Sequence, residues 1–300
     1  VIISASRRTD IPAFYGRWFA NRIKAGFAEA ANPFNFRQVR NIDLRPEAVD
    51  TIVFWTRNAR PFLKYLPRLD REGYRYYFLY TITGYPKELE PNLPSVKSAV
   101  ETFRKLSGII GPERVIWRYD PIAFCSMTGP DFHKRNFEDL AKVLSGSTKR
   151  VIISFMDFYR KTARRLADLK CRHGIQWRTP DECVEKALAF STMLRQIASV
   201  SGMAIQSCAE EFDLAEAGIP PGQCVDYDLV NHLYGPALTY RKDATQRKQC
   251  LCGTSIDIGA YNTCGYRCVY CYANTSFNAA TRNLKAHKPD NPSLSPPLRS

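Results

Sequence analysis

Three short runs, VIIS at 1–4, TIVFW at 51–55 and RVIIS at 150–154, are apolar at nearly every position instead of at alternate ones. A strand with one wet face alternates, so unbroken apolar runs belong in a sheet covered on both sides, which usually means parallel strands joined by helices. Seven candidate strands follow: Val1 to Ala5, Thr51 to Trp55, Tyr76 to Ile82, Val115 to Tyr119, Val151 to Phe155, Met203 to Cys208, and Ser255 to Gly259. Helical spacing fills the gaps at about 12–28, 60–70, 96–108, 131–145, 158–173 and 180–200. The last has the clearest start. Thr179 can cap it, Pro180 fits the first turn, and Asp181 and Glu182 suit the dipole, while Cys183, Ala187, Leu188, Phe190, Leu194 and Ile197 line one face. The alternation predicts an α/β protein, a partial or closed TIM-like (β/α) barrel.

Polar residues follow each strand: Ser6-Arg7-Arg8-Thr9-Asp10, Thr56-Arg57-Asn58, Thr81 and Thr83, Arg118 and Asp120, Ser154 and Asp157, Ser207 and Glu210. In such a fold these positions gather at the carboxyl ends of the strands, where barrels hold their sites. The competing reading is that loops simply begin with polar residues. Residues 1–275 read as a single domain that includes an irregular segment at 209–254, and 276–300, rich in Pro, Ser, Asn and basic groups, reads as an extended tail. No Walker loop or dinucleotide fingerprint is present. The four histidines, His133, His173, His232 and His287, are scattered and suggest no site.

With 45% apolar and 24% charged residues the chain is neither disordered nor fibrous. Its 43 Lys and Arg outnumber 29 Asp and Glu, a formal charge of +14, which favours an anionic substrate: a nucleic acid, a peptide or a small metabolite. The paired cations Arg160-Lys161 and Arg164-Arg165 fit a nucleic acid, or equally a solvated helix face. No apolar run reaches the roughly 18 residues of a membrane span. The opening VIISASRRTD lacks a basic stretch followed by an apolar one, so the expectation is a cytoplasmic protein without a membrane partner.

Five of the ten cysteines lie between Cys250 and Cys271. In a reducing compartment such clustering points to metal sooner than to disulfides. Cys264, Cys268 and Cys271 fall within eight positions as C-x3-C-x2-C. Structural zinc usually takes cysteine pairs with a second pair further on, whereas closely spaced thiolates suit an iron–sulfur cluster. Three ligands on a four-iron cube leave one iron open to a substrate or cofactor.

At these residues the chain resembles the radical S-adenosylmethionine (radical SAM) superfamily, whose C-x3-C-x2-C carries an aromatic residue just before the third cysteine, here Tyr270. The resemblance implies a 4Fe-4S cluster on Cys264, Cys268 and Cys271 and S-adenosylmethionine (SAM) on the open iron, with Tyr270 near its adenine. It also implies a reductant such as flavodoxin or ferredoxin. Cleavage of SAM would give a radical that abstracts hydrogen from the substrate. Members usually carry the motif after their first strand; here it follows the last, which implies a circularly permuted barrel with IDIGAY beside VIIS. The wider pattern of ISASRRTDIPAFY, FWTRN, WRYDPI, SFMDFY, SCAE and the terminal cysteines resembles an uncharacterised bacterial family, domain of unknown function eighteen forty-eight.

SAM needs polar partners from strand ends on the same rim. Arg57, Arg118 and Ser154 are candidates, Arg118 for the carboxylate because a guanidinium fork matches it. Asp10, Asp120 and Asp157 are candidates for the ribose or amino group, and Glu210 for SAM, the substrate or an ion pair. The superfamily's Gly-Gly-Glu motif is missing after VIIS. Cys208, Cys224, Cys250 and Cys252 can ligate a second iron–sulfur cluster or a structural zinc, while Cys208 and Cys224 can equally be ordinary buried residues. Cys125, Cys171 and Cys183 stand alone. The leading expectation is a radical SAM enzyme; the alternatives are a zinc-containing nucleic-acid-binding protein and a non-catalytic iron–sulfur protein.

Overall fold

The computed structural model describes residues 1–33, 35–178, 184–210, 213–235 and 238–294. In chain order the first half runs β1 (Ile2–Ala5), α1 (Ile11–Phe14), α2 (Gly16–Ala25), β2 (Phe27–Asn32), β3 (Asn35–Asp43), β4 (Thr51–Thr56), α3 (Leu66–Arg71), β5 (Tyr76–Thr81) and α4 (Val96–Ile110). The rest is β6 (Val115–Ile122), α5 (Pro130–Leu144), β7 (Arg150–Phe155), α6 (Arg160–His173), α7 (Val184–Val200), β8 (Ala204–Ser207), α8 (Tyr227–Tyr234), β9 (Ile256–Asp257) and α9 (Phe277–Ala286).

Seven strands form one parallel sheet in the order β8-β7-β6-β5-β4-β1-β9. All seven coincide with the runs read from the sequence. The sheet is open: β8 and β9 are its two edges, and no closure between them is seen among the described residues. Strand β9 pairs with β1 in the register Ile3↔Ile256 and Ser4↔Asp257, so the cysteine-bearing end of the chain returns beside its start.

Both faces are covered, as the unbroken apolar runs require. Ile52, Phe54, Tyr76, Phe78, Val115, Trp117, Val151 and Ile153 point to the helices and form the main core. Phe54 stacks on Phe78 with ring centroids 4.7 Å apart, and each fully buried ring of this kind contributes roughly 1.5–3 kcal/mol. The alternate residues Ile2, Val53, Trp55, Tyr77, Leu79, Ile116 and Ile152 pack instead against Val225, Val230 and three cysteines, Cys224, Cys250 and Cys252. Where flanking helices cover one face, the segment after β8 covers the other.

Local chemistry sets the helix ends. The Ser95 side chain accepts from Ser98 N to cap α4, and Gly26 stops α2 in the left-handed region at φ 75, which costs glycine little. The helix expected over 12–28 is therefore two short helices that end at Ala25, and β2 and β3 then pair as an antiparallel ladder. Its alanine-rich first strand lacks the β-branched composition that marks strands. The 276–300 segment is not an extended tail where it is described. Ser276 caps α9 through Ala279 N, and the backbone beyond it binds α2 through Trp18 Nε1 to the Asn291 carbonyl at 2.8 Å and Arg22 Nη2 to the Asp290 carbonyl at 3.1 Å. The expected helix start at 179–183 lies outside the described residues.

Candidate functional site

A cavity of about 450 Å³ opens at the carboxyl ends of the strands, within the size range of small-molecule and cofactor sites. The loops after β1, β4, β6 and β7 line it, together with the segments bearing Cys208, Cys224, Cys250, Cys252, Cys264, Cys268 and Cys271. All seven cysteines singled out from the sequence thus face one cavity. They fall into two sets.

The first set is the loop 264–271. Its backbone is held by side chains: Asn274 Nδ2 donates to the Cys264 carbonyl at 2.8 Å, Asn92 Nδ2 to Gly265 at 2.9 Å, and Arg165 Nη2 to Cys271 at 2.6 Å. Tyr15 Oη donates to the Thr263 carbonyl at 2.6 Å and Val269 N to that of Leu89 at 3.1 Å. Arg267, between the first two cysteines, takes a left-handed φ of 61. Burial raises the Cys264 thiol, and raises that of Cys268 to about 12. Both thiols therefore stay protonated unless a cation draws the proton off.

Tyr270 anchors this loop. Its hydroxyl donates to buried Glu90 Oε1 and accepts from Arg57 Nη2 at 2.7 Å. Arg57 Nη1 in turn binds Glu90 at 2.5 Å and Thr83 Oγ1 at 3.3 Å. Arg57 is thus spent on positioning, although it lines the cavity. Glu90 was invisible in the sequence, because nothing in PKELEP distinguishes it from a solvated loop acid.

The second set comes from three segments. Cys208 and Cys224 Sγ lie 3.6 Å apart, and Cys224 N donates to Cys252 Sγ at 3.3 Å. Hydrogen bonds from Cys224 and Cys250 hold the Cys252 thiol well below its ordinary value, and Arg7 adds to the effect. The Cys208 thiol is lowered to about 7, first by its hydrogen bond with Cys224 and then by Arg118. Among the described residues, no three His, Cys, Asp or Glu side chains surround one point closely enough to hold a single ion as they stand. A cluster spreads its thiolates around a cube, so this bears on single ions and leaves the 264–271 loop open to one.

The remaining candidates divide by what already binds them. Asp10 accepts from Ala13 N, Thr56 Oγ1 and Arg57 N at 3.0, 2.8 and 2.6 Å. It caps α1 and ties it to β4, and burial raises its carboxyl to about 7. Asp120 takes Arg118 Nη2 and the Ser154 hydroxyl. Asp157 takes Arg247 at 2.6 Å and the Tyr159 hydroxyl at 2.9 Å. Glu210 lies outside the cavity lining, where Phe155 N donates to it at 2.8 Å and burial raises its carboxyl to about 8. Unused donors remain. Arg7 Nη2, Arg118 Nε and Thr9 Oγ1 are buried without partners, and their residues line the cavity. A buried donor left unpaired costs about 1–3 kcal/mol, so these groups call for an anionic or acceptor-rich occupant. Arg7 was visible in SRRTD only as one of five polar residues.

Arg165, grouped by sequence with a basic helix face, is half-buried between the Cys271 carbonyl and the Phe277 ring, 4.6 Å from its centroid. Arg160, Lys161 and Arg164 are exposed. No helix among the described residues is long and apolar enough to cross a membrane. The sequence model of a family described as Domain of unknown function (DUF1848) matches residues 2–273. No curated protein matches the chain.

Proposed function

The chain belongs to the DUF1848 family across its whole sheet and both cysteine sets, and from that premise we propose that it is a radical SAM enzyme on a circularly permuted partial (β/α) barrel. The observation that carries the reading is the C-x3-C-x2-C loop, braced by Asn92, Arg165 and Asn274 at the carboxyl ends of a parallel sheet, facing a cofactor-sized cavity with unpaired guanidinium donors. The donor chemistry fits a 4Fe-4S cluster: three thiols on one turn, and no fourth cysteine on that loop. When bound, the cluster would supply the electron that splits SAM into methionine and a hydrogen-abstracting 5'-deoxyadenosyl radical.

The chain's own residues would then act as follows. Cys264, Cys268 and Cys271 give up their protons on loading and hold the cluster. Arg118 Nε and Arg7 Nη2 offer hydrogen bonds to the SAM carboxylate or to an anionic substrate. The Tyr270 ring closes the wall beside the third cysteine, fixed by Glu90 and Arg57. Asp10, Asp120, Ser154 and Glu210 position the rim through the bonds described above. The buried Tyr266 and Trp55 walls keep water away from a reactive intermediate.

The test is anaerobic reconstitution with iron and sulfide, then dithionite reduction with SAM. The expected result is stoichiometric iron and acid-labile sulfide, and 5'-deoxyadenosine that a Cys268→Ala variant fails to make. Stoichiometric zinc on the triad, or a Cys268→Ala variant that still cleaves SAM, overturns the reading.

A further inference from the structure

The four remaining thiols do not resemble the triad in geometry. Cys208 follows the edge strand β8, Cys224 precedes α8, and Cys250 and Cys252 precede β9. Cys224, Cys250 and Cys252 lie in the apolar cluster on the inner face of the sheet, with Cys208 packed against it. Sulfurs around a tetrahedral ion at about 2.3 Å are separated by about 3.8 Å, whereas sulfurs on a four-iron cube stand much further apart because each lies outside its own iron. The Cys208–Cys224 separation of 3.6 Å matches the first spacing and is too short for the second.

Charge argues the same way. Four thiols in hydrogen-bonded contact inside an apolar cluster have no structural use for one another that aliphatic side chains would not serve better. Two cations nonetheless stand against them. Arg7 is held by Ser255 Oγ at 3.2 Å and lies over the Trp55 ring, 5.0 Å from its centroid. Arg118 is fixed by Asp120. Each keeps an unpaired N–H, Nη2 on Arg7 and Nε on Arg118. Four thiolates around a divalent ion carry a net charge of −2, and these guanidinium groups offset part of it.

We infer that Cys208, Cys224, Cys250 and Cys252 form a tetrathiolate site for a single thiophilic divalent cation, zinc by chemistry, that pins the 208–254 segment to the inner face of the sheet. Cys208 and Cys224 pair by a hydrogen bond, and among the described residues no three of these side chains converge on one point. Binding of the ion would release their protons to solvent and draw the thiolates together around it. Two sulfurs come from one C-x-C turn and the others from separate loops, so the ion reinforces three stretches that meet through isolated backbone contacts, Gly222 N to the Ser207 carbonyl at 2.7 Å and Gly253 N to the Val225 carbonyl at 2.9 Å. The assignment stands whether or not the chain cleaves SAM.

The experiment uses the full chain with Cys264→Ala, Cys268→Ala and Cys271→Ala together, so that the triad cannot contribute. Metal content, acid-labile sulfide and the absorption after exchange into cobalt are measured anaerobically. The same cobalt titration of the unmutated, metal-free chain guards against a triple variant that fails to fold. The expected result is stoichiometric zinc without sulfide, intense thiolate-to-cobalt charge transfer with tetrahedral d–d bands, and loss of both on adding Cys250→Ser and Cys252→Ser. Iron with acid-labile sulfide on this set, or four thiols that react freely with a disulfide reagent and bind neither zinc nor cobalt, overturns the inference. SAM cleavage is read separately, so failure here leaves the triad's assignment untouched, and the reverse holds too.

Discussion

Replacing Glu90 with alanine tests the 264–271 loop at its least conspicuous support. The carboxylate is nearly inaccessible, with a side-chain exposure of 4% against 14% for Arg57, its 2.5 Å partner. It also receives the hydroxyls of Thr83, at 2.7 Å, and Tyr270. Glu90→Ala leaves a buried guanidinium with only Thr83 and Tyr270 beside it, and breaking a buried pair from one side costs about 3–5 kcal/mol. That is a large share of the 5–15 kcal/mol by which domains are usually stable. Arg57→Met strands the carboxylate instead, at a similar cost. Removing both leaves no unpaired charge, so the double variant should lose at least about 2 kcal/mol less than the sum of the single losses. Urea unfolding followed by circular dichroism, with m-values held in common, measures the cycle. Iron loading of the triad should fall in Glu90→Ala and recover in part in the double variant. Additivity to within about 0.5 kcal/mol would refute the coupled node.

Three further outcomes are expected. A Cβ on Gly259 would lie 2.1 Å from Ser6 Oγ and 2.6 Å from Ser6 Cβ, so Gly259→Ala must displace a buried side chain and should cost about 1–3 kcal/mol in chemical unfolding; an unchanged midpoint would contradict the close packing of β9 on β1. Asp257 accepts from Ser4 Oγ, Ser6 Oγ, Arg7 N and Gly259 N at 2.7–2.9 Å, and Asp257→Asn turns one acceptor into a donor facing two of these, with an expected loss of about 2–3 kcal/mol. Burial lowers the His133 imidazole from 6.5 to about 4. The unfolded chain takes up this proton near pH 6.5 and the folded chain only near 4, so the stability present above 6.5 is lost as pH falls through that window, on the order of 3 kcal/mol in all. His133→Phe should flatten that part of the pH dependence, and equal slopes in urea titrations of both proteins would rule the effect out.

The strands were legible because an unbroken apolar run is a local property: the pleat repeats every two residues, and a strand covered on both faces needs apolar side chains throughout. The three-cysteine motif was legible for a related reason, since three cysteines within eight positions must lie close together along the backbone. Signals weakened where the cause was distant. The β2–β3 ladder has an alanine-rich first strand and a polar second one, and α9 has one half-buried stripe in a basic segment, so neither had a composition strong enough to announce itself; contacts with α2 order the ladder, and contacts with the 262–267 loop and Arg165 hold α9.

Sequence by itself therefore settled the parallel α/β class and the closeness of the three cysteines, because backbone repeat and residue spacing act between near neighbours. Only the tertiary structure decided that Ile256 lies beside Ile3, that Glu90 holds Tyr270, and that Cys208, Cys224, Cys250 and Cys252 meet under Arg7 and Arg118. Those encounters join residues far apart in the chain, and no local periodicity records them; they exist because burying both faces of one sheet leaves the intervening loops a single place to converge.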